Sequence, residues 1–111
     1  MVWNVYLSGE IHTNWRSAIA NLVDQQKLSV KFTAPVTNHD HSDNCGSIIL
    51  GEEDKKFWAD HKSAKINSIR NQTGIKNADI VVVCFGEKYK QWNAAFDAGF
   101  AVALSKPLIV M

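Results

Sequence analysis

Between Trp92 and Leu104 the only charged residue is Asp97, within the stretch Gln91-Trp92-Asn93-Ala94-Ala95-Phe96-Asp97-Ala98-Gly99-Phe100-Ala101. Plotted at the helical angle this stretch has almost no polar face, and such a helix is buried in a core or against a partner subunit. A carboxylate there must find hydrogen-bond partners or have its pKa raised. Gly99 costs a helix roughly 1 kcal/mol relative to alanine, which predicts a close approach to its backbone. Early in a helix and near a neutral tyrosine, the aspartate suits nucleophilic displacement at a sugar carbon. There an anion both stabilises and can trap an oxocarbenium-like centre. The simpler reading is a helix-start aspartate held by the helix dipole and one basic neighbour.

Other chemistry-bearing groups are sparser. The segment Leu7 to Arg16 contains neither a dinucleotide nor a P-loop glycine pattern, which argues against a nicotinamide cofactor or a P-loop nucleotide. Ser8, Thr13, Asn14 and Arg16 could still hold a phosphate or hydroxyls at a helix start. Taken singly they read as caps and a surface arginine. His39, Asp40, His41 and Asp43 raise the question of a metal, but their spacing fits no helical or EF-hand pattern. A structural or substrate-contacting loop is the preferred reading, and neither metal nor cofactor is predicted. Trp15 and Trp92 could stack on a base, although core or interface packing is the stronger expectation for both.

These residues need a frame to hold them. Val2 to Leu7 reads as a strand, Trp15 to Gln26 as a helix, and Val30 to Ala34 as a strand stopped by Pro35. A polar loop from Thr37 to Asn44 follows. Glu52 to Asn77 suits one long helix, or two divided near Gly74, with Phe57, Trp58, His61, Ala64 and Ile69 facing inward. Ile80 to Phe85 reads as a strand buried on both faces, and Leu108 to Met111 as a last parallel strand. The order β-α-β-α-β-α-β predicts an open parallel sheet with helices on both faces, a three-layer α/β/α, flavodoxin-like or Rossmann-like fold. Ligands then bind beyond the carboxyl ends of the strands, where the loops Ser8 to Arg16, Asn38 to Asp43 and Gly86 to Asp97 meet.

The 111 residues suffice for one domain, 1–111, and 46% hydrophobic with 21% charged residues is ordinary for a globular protein. Stopping at the end of a strand reads as a C-terminal truncation or an edge covered by another subunit. Twelve basic against eleven acidic residues leave a net charge of +1, which argues against nucleic acid as a partner. No apolar run reaches membrane length and no signal peptide is evident, so no membrane partner is expected. Cys45 and Cys84 lack metal-ligand spacing and point to a reduced, cytoplasmic protein.

Tyr6-Leu7-Ser8-Gly9, Asn77-Ala78-Asp79-Ile80-Val81-Val82-Val83, and Phe96-Asp97-Ala98-Gly99 with Lys106-Pro107 resemble the nucleoside 2-deoxyribosyltransferase superfamily. Asn38-His39-Asp40, Ser42-Asp43-Asn44, Ile49-Leu50-Gly51-Glu52 and Phe85 to Asn93 are similar to its YtoQ branch. The resemblance spans nearly the whole chain. It implies cleavage or transfer of a nucleoside or nucleotide N-glycosidic bond, with Asp97 as nucleophile and Tyr6 orienting it. Asn71 falls on the position serving the leaving base and Gln91 on one contacting deoxyribose. Ser8, Gly9, Arg16 and Asn93 complete the expected binding set. Three departures accompany it: Asp97 replaces the usual glutamate, and Asn71 and Gln91 are amides where acids are usual. A slow nucleoside 5′-monophosphate N-glycosidase or a catalytically weak nucleotide-binding module is the alternative. The implied partners are a small-molecule nucleoside or nucleotide and further copies of the chain, as a homodimer or higher homo-oligomer.

Overall fold

The computed structural model describes residues 1–37, 39–88 and 90–111. Asn38, which opens the expected second loop, and Tyr89 lie outside the described residues, as do the side chains of His39 and Asp40, two of the metal candidates. Four parallel strands form one sheet in the order β2-β1-β3-β4: β1 Trp3–Gly9, β2 Val30–Thr33, β3 Ile80–Cys84 and β4 Leu108–Val110. Tyr6 pairs with Thr33 on one side and Val81 on the other, and Val82 pairs with Ile109. The helices are α1 Trp15–Gln25, α2 His39–Leu50, α3 Lys56–Asn77 and α4 Trp92–Ala103.

Alternation along the two central strands divides the core. Val5, Leu7, Val82 and Cys84 pack on one face with Trp15 and Ile19 of α1. Tyr6, Val81 and Val83 pack on the other with Ile75 of α3 and Ala94 and Ala101 of α4. β3 is therefore buried on both faces, as its unbroken apolar run predicts, and the molecule has the expected three layers. β1 and β3 lie side by side, with β2 and β4 outside them in opposite directions, so the switch point falls between β1 and β3. Lys106 closes the lower end of this unit by donating to the carbonyls of Lys76 (2.9 Å) and Ala78 (2.8 Å) at the C-terminus of α3.

Two expectations about the helices are corrected. The segment expected as a polar loop from Thr37 to Asn44 is helical from His39 onward, as α2. α2 packs on α3 through polar groups: Asn67 donates to the carbonyl and hydroxyl of Ser42, and the Gly46 amide donates to Ser63 Oγ at 3.0 Å. An interface of serine and asparagine leaves no apolar periodicity to read. α3 is one uninterrupted helix, and its inward residues are Ser63, Asn67, Asn71 and Ile75, not the expected aromatic stripe. Phe57, Trp58 and Ile69 are exposed. The first half of α3 has α2 as its neighbour, not the sheet, so apolar character there does not mark the buried side.

Gly74 divides nothing; it makes room. A β-carbon at this position would overlap the Tyr6 ring, which lies directly against the helix backbone. Gly99, by contrast, faces open space, so the expected close approach is absent. It lies on the outward side of α4 with the exposed Trp92, Phe96 and Val102. Within one chain, then, α4 is covered on one side only.

Candidate active site

β1 ends in Gly9, whose φ of 122° suits only glycine, and the chain passes so near Cys84 that a β-carbon would strike its carbonyl. The Glu10 amide donates to that carbonyl at 2.9 Å. From here the first loop is tied down by a single acid that sequence reasoning missed. The Glu10 carboxylate accepts from the amides of His12 (2.6 Å) and Thr13 (3.0 Å) and from the Thr13 hydroxyl. Burial opposes its ionisation, but these donors outweigh burial and hold the carboxyl below the usual range. The available signal was an acid shortly before a helix start, where free amides need an acceptor. Neither Thr13 nor Asn14 caps α1 through its side chain: Thr13 serves Glu10, and Asn14 makes no cap hydrogen bond.

Arg16 is not a surface arginine. Its guanidinium donates to the carbonyls of Leu7 (3.2 and 3.1 Å), Gly9 (3.2 Å) and Glu10 (2.7 Å), and it lies 4.5 Å from the Trp15 ring centroid. It braces the turn after β1 and stands outside the cavity lining. Trp15 is buried in the core and donates its indole N–H to the Glu10 carbonyl at 2.9 Å, so it is no base-stacking platform. Trp92 lies exposed and lines neither cavity, although its neighbours Gln91 and Asn93 do.

Asp97 sits in the second turn of α4, beyond the reach of the helix N-terminus, and its hydrogen-bond partner is not basic. Ser8 Oγ donates to Asp97 Oδ2 at 2.5 Å, and both residues are buried. Burial raises the Asp97 carboxyl above its ordinary value, and the Ser8 hydroxyl partly offsets this. The helix-start aspartate held by the dipole and a basic neighbour is therefore not what the fold contains. Oδ1 has no hydrogen bond among the described residues, yet no buried side-chain oxygen there is left unpartnered, so Oδ1 opens to the cleft.

That cleft has two lobes meeting at Asp97. The larger, about 520 Å³, is bordered by Asp43, Lys56, Asp60 and Phe96. The smaller, about 250 Å³, is bordered by Ser8, Gly9, His12 and Gln91. Asp97, Asn71, Asn93, Asn67 and Ser42 border both. The structure thus brings together Ser8, Gly9, Asn71, Gln91, Asn93 and Asp97 from β1, α3 and the start of α4. It adds His12 and Ser42, which lie in the two segments expected at the ligand edge but were not singled out, and Asn67, which had no distinguishing signal on its helix. Tyr6 lies beneath this floor: its hydroxyl donates to Asn71 Oδ1 at 3.2 Å, whereas the direct partner of Asp97 is Ser8. Burial, then the nearby Asp97 charge, push the phenol well above its ordinary value, so it stays protonated. Among the described residues no three His, Cys, Asp or Glu side chains gather as a metal site.

A parallel α/β domain with a carboxylate-centred cleft at its switch point is the class that fold and site define. A family model described as nucleoside 2-deoxyribosyltransferase YtoQ matches residues 6–111, and the chain belongs to that family. A protein of Bacillus subtilis (strain 168), described as the uncharacterized protein YtoQ, is 46% identical over 111 residues, covering 100% of this chain and 75% of that protein. The family is the one the motifs resemble. No described helix is long and apolar enough to cross a membrane.

Proposed function

We propose that the protein cleaves or transfers the N-glycosidic bond of 2-deoxynucleosides or their 5′-monophosphates, with Asp97 as the nucleophile. Oδ1 attacks C1′, the C1′–N bond breaks, and its electron pair leaves with the base. A second base or water then takes the sugar from the ester and restores the carboxylate. The reading is carried by one observation: a buried carboxylate has one oxygen held by Ser8 and the other open to the cleft. Membership of a nucleoside 2-deoxyribosyltransferase family supports it. We further place the protein in a reducing compartment, since Cys45 and Cys84 are both buried free thiols. A second copy of the chain would cover the exposed side of α4.

Incubation with 2-deoxynucleosides and their monophosphates tests the chemistry, read by intact-protein mass and chromatography of released base. A sugar adduct or free base that disappears in Asp97→Ala supports the reading. Binding without adduct or base release, unchanged in Asp97→Ala, identifies a binding module and overturns it.

A further inference from the structure

We infer that His12 is the acid that protonates the leaving base, and that this base occupies the smaller lobe of the cleft. The inference rests on the N-glycoside reading above and deepens it by naming the second reacting group. Breaking the C1′–N bond leaves an electron pair on the base, which without a proton departs as a poor leaving anion. Asp97 cannot supply that proton, because its open oxygen is the attacking atom. The Tyr6 phenol is enclosed beneath the floor and donates to Asn71. Asn71, Gln91 and Asn93 are amides and carry no titrating proton. Asp43, Lys56 and Asp60 border the larger lobe, where Lys56 and Asp60 pair at 2.8 Å. In the smaller lobe the ionisable side chains among the described residues are His12 and Asp97. Imidazole is the side chain that most readily gives and takes a proton near neutrality.

The two lobes differ in what they fit. Ile11, Pro35 and Val36 give the smaller one apolar walls, suited to the flat face of a base. Asp43, Lys56 and Asp60 make the larger one suited to hydroxyls. A sugar with C1′ over Asp97 spans the junction, so its base lies in the lobe that His12 borders. His12 is held there through its backbone. Its amide donates to Glu10 at 2.6 Å, and the His12 charge helps keep that carboxyl ionised. Glu10 has no room to retreat. Gly86, at a φ of 69°, lies against it, and a β-carbon there would stand 2.9 Å from Glu10 Cγ. Glu10 is thus a positioning residue for His12. As the Asp97 Oδ1–C1′ bond forms and the C1′–N bond breaks, the electron pair passes to the base. A His12 N–H proton moves to a ring nitrogen or carbonyl oxygen of that base and leaves neutral imidazole. In the return step the imidazole takes a proton from the incoming water or base, and the carboxylate is released.

Release of base from 2′-deoxyguanosine and from 7-methyl-2′-deoxyguanosine, by wild type and His12→Gln, tests this. The methylated base already carries a positive charge and leaves neutral without a proton. His12→Gln is expected to lose about 10²- to 10⁴-fold in kcat/KM on 2′-deoxyguanosine. It should keep the wild-type rate on the methylated substrate. The substitution leaves the backbone bond to Glu10 in place, so the circular dichroism of wild type and variant should coincide. Glu10→Gln is expected to show the same selectivity with a smaller loss. Equal losses on both substrates in His12→Gln, or none on either, overturn the inference alone. Wild-type protein that releases no base from any 2-deoxynucleoside overturns it together with the proposed function.

Discussion

Ser8 and Asp97 stand 89 positions apart in the chain and share a 2.5 Å hydrogen bond in the interior, where the end of β1 meets the second turn of α4. β1 and β3 are adjacent at the centre of the sheet, and α4 returns from β3 across the face that carries Ser8. Ser8 is 1% exposed and Asp97 4%, so water does not compete for the contact. A charge in this position is held by one hydroxyl against the cost of its own burial.

Asp97→Asn is expected to abolish adduct formation and base release while making the fold more stable. Because the folded carboxyl has a raised pKa, its contribution to stability is complete below the unfolded-state value and is lost as pH rises through the folded value. The amide has no charge to bury and can still accept from Ser8. A gain on the order of 1 kcal/mol at neutral pH, a few degrees in Tm, is expected by differential scanning calorimetry, and it should vanish in acid.

The pH dependence of turnover follows from the same shift. A nucleophilic carboxylate must be ionised, so kcat/KM should fall as pH drops through a value above that of an ordinary aspartate. Ser8→Ala removes the donor that favours the ionised form. Its acid limb should lie at still higher pH, with a rate loss of about 10- to 100-fold on the plateau. An acid limb that stays in place in Ser8→Ala would contradict the assignment.

Glu10 has the opposite sign. Its folded carboxyl is held below the usual range, so its contribution is present above the unfolded-state value and is lost as pH falls through the folded value. Glu10→Gln should cost about 1–2 kcal/mol at neutral pH by weakening the hydrogen bonds from His12 and Thr13. Thermal melts of wild type and variant should converge in acid.

Gly74→Ala sets two effects against each other. Alanine favours a helix interior by about 1 kcal/mol. The added β-carbon would meet the enclosed Tyr6 ring, and overpacking of that kind costs about 1–3 kcal/mol. A net loss is expected, seen as a lower urea midpoint with an unchanged slope. Stabilisation would show that the ring can move, and with it the hydroxyl that donates to Asn71 Oδ1.

Much of this was legible in the residues. The apolar runs from Ile80 and Leu108 and the β-branched start of the chain specify strands. The helices between strands leave a parallel sheet as their natural arrangement, and the carboxyl edge follows as the place for a ligand. Asp97 stood out because one charge in an apolar helix needs a reason. α2 was invisible because its contacts with α3 are polar, and the aromatic residues at the start of α3 misled because they face solvent. Arg16 read as a surface cation because nothing local announces that three carbonyls at the end of β1 await a donor.

Periodicity and composition therefore determine the elements, the parallel sheet and the suspicious carboxylate, since each depends on neighbours within a few residues. The pairing of Ser8 with Asp97, the turning of Tyr6 toward Asn71 and the spending of Arg16 on backbone carbonyls belong to the tertiary structure. A buried polar group bonds to whatever packing brings within about 3 Å, and that partner can lie anywhere along the chain.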